Sequence, residues 1–401
     1  MAITGIFANP STGRVRFFCG GESLLTFEHY IPVGKKRLRC GYTTGTCAAV
    51  AARGAAELLL TGRSPALVRV ETPAGLAVEA EIEEPSTGPG WASCAVRKDG
   101  GDDPDATHGT LICARAEQTD APGVIVEGGA GVGRVTRPGL DQPVGAAAIN
   151  RVPREMIARE AGEALRAAGC GGGLRITIFV PEGERLGART FNPRLGIEGG
   201  ISILGTSGIV RPMSEAALID SLRLELDMRA AAGDRDLVVT PGNYGETFAR
   251  ESLGLSLRHW ATCSNYIGEA IDHAAGLGIR SFLLVGHIGK LCKVAAGSMN
   301  THSRVTDGRR ESLAAHTALC GGDQATVRAV FATVTTDEAL DILAGAGLLE
   351  PVMASLAAEL DGQLKRRAGA EMEIEAIFFS NQRGILGETP GARRLAALHV
   401  P

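Results

Sequence analysis

Apolar and polar positions follow two different rhythms along this chain. In the first third the two-residue rhythm of half-buried strands dominates. Residues 67–84 alternate around Pro73-Ala74-Gly75 and predict a β-hairpin, and further strands are expected at 91–97, 110–117 and 123–127. One helix interrupts them, from about Thr46 to Leu60. It has hydroxyls and glycine at its start (Thr43, Thr44, Gly45, Thr46), an alanine-rich body, and Gly62 just past its end. Residues 1–37 are weakly patterned, with short β-like stretches and a basic Lys35-Lys36-Arg37. This part reads as an α+β domain spanning 1–145.

The stretch from Pro138 to Pro153 holds three prolines and two glycines and suits a crossing between domains. Beyond it, short apolar runs are separated by helical patterns. The runs are Leu174–Val180, Ile201–Leu204, Leu237–Thr240, Phe282–Val285 and Ile374–Phe379. Helices are predicted at about 154–168, 214–231, 245–253, 266–277, 290–298, 311–319, 323–332, 336–346 and 350–367. Strand, glycine-rich turn, helix, strand is the rhythm of a mostly parallel sheet. The expectation is a larger C-terminal α/β domain over 146–401.

Composition narrows the function classes. With 401 residues, 44% hydrophobic and 21% charged, the chain has enough apolar content for two cores. A net charge of −4 argues against a nucleic-acid partner, which would want a clustered basic surface. The nine cysteines contain no Cys-x-x-Cys pair, so zinc-finger and redox-motif readings fail and free thiols in a reducing cytoplasm are expected. The N-terminus lacks a secretory pattern, and no apolar run reaches the roughly 18–20 residues of a membrane helix. A homo-oligomer is compatible with all of this.

Chemistry gathers at predicted strand ends, where open α/β sheets bind ligands. Gly205-Thr206-Ser207-Gly208 and Arg211 follow Ile201–Leu204, and such a loop can bring backbone N–H groups to a carboxylate or a ribose; a plain connection is the alternative. After Leu237–Thr240, Asn243 and Glu246 are placed to hold ribose hydroxyls, or simply to open a helix. Ser264 and Asn265 read first as a helix cap. Gly286-His287-Ile288-Gly289-Lys290 is harder to dismiss, since the turn needs neither the histidine nor the lysine. The polar run Met299–Arg304 and Asp307-Gly308-Arg309, with His302, extends it. In the first domain, Thr43, Thr44 and Thr46 at a helix start make a ready anion site suited to a carboxylate, with simple N-capping, which needs only one hydroxyl, as the alternative. Asp99, Asp102, Asp103, Asp105 and His108 crowd into ten residues, read either as a divalent-metal or proton-transfer site or as a surface Asp-Pro turn. No dinucleotide fingerprint, Walker A loop, zincin helix or nucleophile elbow is present, and Gly128–Arg134 lacks the ending of a phosphate loop.

Read together, seven strings in order resemble the CbiD family of corrin-ring methyltransferases. They are GYTTGTCAA from Gly41, DGGDDPDATHG from Asp99, GVGRVTRPGL from Gly131, GGISILGTSGIVRPMS from Gly199, TPGNYGE from Thr240, CSNYIGEA from Cys263, and LLVGHIGKLCKVAAGSMNTHSRVTDGRRE from Leu283. FFSNQRGIL near the end is consistent, and Cys292 stands where the family string leads one to expect an apolar residue. The resemblance implies methyl transfer from S-adenosylmethionine to C1 of cobalt-precorrin-5B and a fold unlike that of the usual corrin-ring methyltransferases. Cobalt then belongs to the substrate, so no protein-bound metal is required.

In that light the cofactor is expected against Gly205, Thr206, Ser207, Gly208, Asn243, Glu246, Ser264 and Asn265, with the macrocycle between the domains. Thr43, Thr44, Thr46, Arg211, Lys290, Arg304 and Arg309 would meet its many carboxylates. His287, His302 or Asp103 would take a proton, or His302 would only orient the ring. The rival readings are methylation at another tetrapyrrole position, a non-catalytic corrinoid carrier, and a metal-dependent hydrolase built on Asp99–His108.

Overall fold

The computed structural model describes residues 27–400, together with an antiparallel pair formed by Ile6–Ala8 and Val15–Phe17. The chain divides into two compact units, Met1–Ser214 and Glu215–Pro401. It is a mixed α/β and α+β protein.

The first unit is built on a five-stranded sheet. Its strands are β1 (Glu83–Gly88), β2 (Trp91–Arg97), β3 (Leu111–Thr119), β4 (Gly123–Gly128) and β5 (Gly173–Phe179), in the spatial order β4-β5-β3-β2-β1. Only the β4–β5 pair is parallel. Two helices, α1 (Thr44–Thr61) and α2 (Arg151–Ala167), pack on each other and on this sheet. The alanine run of α1 explains its burial on nearly every side. Small side chains let both the sheet and α2 come close, and Ala48, Ala49, Ala51, Ala52, Ala55 and Ala56 are fully buried. Thr43 caps α1, and Gly62 closes it in the left-handed conformation.

The pattern-based boundary at 145/146 falls inside this unit. β5 inserts between β4 and β3, and α2 lies on α1, so residues 151–179 complete the first sheet rather than open the second. Nor does Ile201–Leu204 join the parallel sheet of the second unit. It makes only short pairings, Gly131–Val132 with Gly200–Ile201 and Ile149 with Ile203. Alternation along a run identifies a strand but not the sheet that recruits it.

The second unit is a parallel sheet with one antiparallel edge. After α3 (Glu215–Ala231) come β6 (Asp236–Thr240), α4 (Asn243–Glu251), β7 (Trp260–Thr262), α5 (Ile267–Gly276), β8 (Ser281–His287) and α6 (Ile288–Ala295). Then follow α7 (Arg309–Leu319), α8 (Gln324–Ala332), α9 (Thr336–Gly345), α10 (Leu349–Ala368), β9 (Glu373–Ser380) and β10 (Gly384–Glu388). The spatial order is β7-β6-β8-β9-β10, with β10 antiparallel. The continuous apolar runs follow from burial on both faces. Leu237, Val239, Phe282, Leu284, Ile374, Ala376 and Phe378 pack with α3, α5, α6, α7 and α10, while Val238, Leu283, Val285, Ile377 and Phe379 pack with α4 and Ala392–Ala397. No helix among the described residues is long and apolar enough to cross a membrane.

This strand order fixes where a ligand site belongs. From β6 the chain moves to one side of it (β7) and then returns to the other (β8). α4, which follows β6, and α6, which follows β8, pack on opposite faces. Loops that part in this way leave a crevice outside the carboxyl ends of β6 and β8.

Candidate functional site

In the first unit three distant stretches converge. Gly41 and Tyr42 pair with Val210 and Ile209, and the Tyr42 N–H donates to the Asp99 carbonyl at 2.9 Å. The contact is backbone on backbone. A Cβ at Gly41 would lie 2.3 Å from the Asp99 oxygen, and one at Gly101 would lie 2.4 Å from the Arg39 oxygen. Glycine is required at both positions.

The threonines expected to bind a carboxylate hold a loop instead. Thr44 Oγ1 donates toward the Ser202 and Leu204 carbonyls (3.2 and 3.3 Å) and accepts the Leu204 N–H at 2.9 Å. Thr46 Oγ1 donates to the Gly208 carbonyl at 2.7 Å, and Thr43 Oγ1 accepts the Thr46 N–H at 3.2 Å. The Gly45 N–H goes to the Leu204 carbonyl. These groups fix the segment carrying Gly205, Thr206, Ser207 and Gly208. Gly205, at φ +136°, could bear no side chain, because a Cβ would meet Thr43 Oγ1 at 2.3 Å. Thr206 is exposed, while Ser207 Oγ is turned onto the Ile209 carbonyl at 3.0 Å.

Each acid of the 99–108 segment has a partner. Asp99 pairs with Arg39 and accepts the Gly101 N–H; Asp102 accepts the Arg39 N–H at 2.7 Å. Asp105 pairs with Lys98, which is 2% exposed, and accepts both the N–H and the hydroxyl of Thr107. Burial opposes ionisation of Asp105, but the Lys98 charge and these hydrogen bonds outweigh it and hold the carboxyl below its usual range. His108 Nδ1 accepts the Gly100 N–H at 3.0 Å. Among the described residues no three His, Cys, Asp or Glu side chains group as metal ligands. The segment is a turn locked by Arg39, Lys98 and its own backbone. Asp103 Oδ1 accepts the Met213 N–H at 2.9 Å and so holds a non-glycine residue at φ +55°. Two residues earlier, Arg211 is exposed and forms no ion pair among the described residues.

The other predicted residues lie in the second unit. Lys290, in the first turn of α6, donates to the carbonyls of Pro241 after β6 and of Ser264 after β7 (3.1 Å to Ser264). Ser264 stands at φ +51°, the second left-handed non-glycine residue in a predicted loop. Asn265 accepts the Thr301 hydroxyl at 3.2 Å, tying this loop to the polar segment after α6. Asn243 is exposed at the start of α4, and Glu246 is paired with Arg250 at 3.4 Å. Arg304 is exposed, whereas Arg309 is tied to Asp307 at 2.6 Å. Lys293 escaped the sequence reading. It is 4% exposed and donates to the carbonyls of Thr301 and Thr306 at 3.1 and 3.0 Å. A lysine set among Leu291, Cys292, Val294 and Ala295 was the available signal.

The histidines are wired alike. His287 Nδ1 accepts the Gly289 N–H at 3.1 Å, capping α6, and His302 Nδ1 accepts the Arg304 N–H at 3.1 Å. A ring nitrogen that accepts carries no proton, so each neutral imidazole holds its proton on Nε2 and offers a donor there. Burial lowers the His287 pKa against the pull of Asp337, which favours this neutral form. The wiring suits orienting an acceptor better than removing a proton. His287→Asn, which keeps a helix-capping oxygen, is therefore expected to lower kcat/KM equally between about pH 6.5 and 8.5. An acid limb present in the parent and absent in the variant would identify His287 as a base.

The profile of the CbiD family matches residues 31–212, and that of the CbiD C-terminal domain matches residues 300–390. A cobalt-precorrin-5B C(1)-methyltransferase from Ruminiclostridium cellulolyticum is 45% identical over 354 residues, which is 88% of this chain and 92% of that protein. Its namesake from Thermoanaerobacter sp. is 46% identical over 88% of this chain and 96% of its own length. That from Alkaliphilus metalliredigens is 43% identical over 92% and 97%. The crystal structure of a cobalamin biosynthesis protein (cbiD) from Archaeoglobus fulgidus shares 31% identity, covers 71% of this chain and 87% of that one, and gives a TM-score of 0.37.

Proposed function

This chain belongs to the CbiD family, and from that premise we propose that it methylates C1 of cobalt-precorrin-5B, giving cobalt-precorrin-6A on the oxygen-independent route to adenosylcobalamin, with S-adenosylmethionine as donor. It is a methyltransferase; the donor's identity and a cytoplasmic location are parts of the proposal. The agreement of near-full-length relatives on one substrate and one ring position carries the reading.

The donor supplies a methyl group already activated on a sulfonium. The electron-rich macrocycle brings its own carbon nucleophile and its own cobalt. What remains for the chain is to hold, orient and exclude water, which can lower a barrier by several kcal/mol, of order 7–11 at most. Arg211 in the first unit and Arg304 in the second are both exposed, which supports assigning each to macrocycle carboxylates. Thr43, Thr44, Thr46 and Asp103 act one step removed, by fixing the loop and turn that carry Gly205–Gly208 and Arg211. His287 and His302 offer Nε2 donors to carboxylates or to ring substituents.

The test is incubation of the full chain with cobalt-precorrin-5B and methyl-labelled S-adenosylmethionine, followed by mass and NMR analysis of the corrinoid. Label at C1 is expected. Tight macrocycle binding without transfer would make the chain a carrier, and label elsewhere would reassign the ring position. In the same assay Arg211→Ala is expected to weaken corrinoid binding at least tenfold, about 1.4 kcal/mol. Unchanged affinity would remove the Arg211 turn from the substrate site.

A further inference from the structure

We infer that Lys290 receives the carboxylate of the methyl donor's amino-acid arm, so that the donor lies in the second unit, outside the carboxyl ends of β6, β7 and β8. This rests on the methyltransferase reading above and adds to it a residue and a place.

The first observation is an ammonium group without a counterion. Lys290 Nζ has three N–H donors. Two are spent on neutral acceptors, the carbonyls of Pro241 and Ser264. Among the described residues no carboxylate lies within ion-pair distance of it. Nearby Cys263 is fully buried, and burial pushes its thiol up to about 12, so it is neutral near pH 7 and no counterion either. The neighbouring cation is Lys293, of like sign. Burial lowers the Lys290 pKa, and Lys293 adds the smallest push in the same direction. A half-buried cation with a spare donor and a like-charged neighbour gains from an incoming anion.

The second observation is placement. Lys290 sits where the strand order reverses, reaching from the first turn of α6, directly after β8, to the loops after β6 and β7. That is the ligand position of an open α/β sheet. The backbone is bent to build it. Ser264 at φ +51° presents its carbonyl to the ammonium, and Gly242 at φ +122° passes close enough that its Cβ would lie 3.9 Å from Nζ. Exposed Asn243 follows at the start of α4, with free amide capacity for a sugar or an amino group.

A carboxylate here has two sources, the donor's amino-acid arm or a macrocycle side chain, and the pair of probes separates them. Isothermal titration of the full chain would use S-adenosylhomocysteine and 5′-methylthioadenosine, which shares the nucleoside and sulfur but lacks the amino-acid arm. Lys290→Met is expected to weaken S-adenosylhomocysteine at least tenfold and 5′-methylthioadenosine less than about twofold. Equal loss for both probes would make Lys290 a structural tie between loops and overturn the inference. So would unchanged binding of both, or loss confined to the cobalt corrinoid. Should the methionine variant not fold, Lys290→Gln keeps donors for Pro241 and Ser264, removes the charge, and carries the same comparison. If the parent transfers label to C1 while Lys290→Met binds S-adenosylhomocysteine normally, this inference fails and the proposed function stands.

Discussion

Lys98→Met is expected to destabilise the first unit by about 3–5 kcal/mol, the cost of leaving one member of a buried ion pair without the other. Lys98 is 2% exposed and its ammonium meets Asp105, itself only about a fifth exposed. Removing the cation leaves that carboxylate with Thr107 alone. Asp105→Leu added to Lys98→Met is expected to recover most of the loss, since two apolar side chains need no partner. The pair also sets a pH dependence. Asp105 has a depressed carboxyl pKa in the folded chain, so its contribution is complete above about pH 4, the unfolded value, and is lost as pH falls through the folded one. Denaturant midpoints for the single and double variants decide the matter. A single-variant loss below about 1 kcal/mol would mean that water reaches the pair freely. Activity should fall with stability, because the loop that Asp105 locks also carries Asp103, which holds the Arg211 turn.

Much of this architecture was legible in the residues. Helix α1 was marked by its hydroxyl cap and closing glycine, and the strands of the second sheet by apolar runs that two-sided burial demands. What pattern could not supply was partnership between segments. Leu174–Val180 and Ile201–Leu204 read as strands of the second sheet because their local pattern matches it. Yet β5 is recruited between β3 and β4, and residues 200–203 pair as strand only with Val132, Ile149 and their neighbours. The same gap explains the threonines of α1. A hydroxyl at a helix start serves a ligand or a neighbouring loop equally well, and only the position of Leu204 and Gly208 shows which. The acidic segment is the converse case. Four carboxylates in sequence suggested mutual repulsion, whereas Arg39, Lys98 and two backbone N–H groups answer them one by one.

Lys293→Met is expected to leave global stability nearly unchanged and to raise the KM for the corrinoid at least tenfold. The two effects separate because they draw on opposing terms. Hydrogen bonds from a charged donor to the Thr301 and Thr306 carbonyls are each worth about 1.5–3 kcal/mol. Burying an ammonium whose nearest carboxylate, Asp307, is 3.9 Å away costs several kcal/mol, which methionine would not incur. The sums nearly cancel for the fold, but not for the segment they hold. Without the ammonium, residues 302–306 lose their anchor to α6, and the local bonds left to them, Val305 and Thr306 N–H to the His302 carbonyl, open more often. His302 and Arg304 ride on that segment, so the donors proposed to meet the macrocycle lose their fixed positions. Hydrogen exchange reads this directly. The amides of Val305 and Thr306 should lose protection while those of β8 keep theirs. Protection lost throughout the second unit would show that Lys293 holds up the fold, and an unchanged KM with a loosened segment would take His302 and Arg304 out of substrate binding.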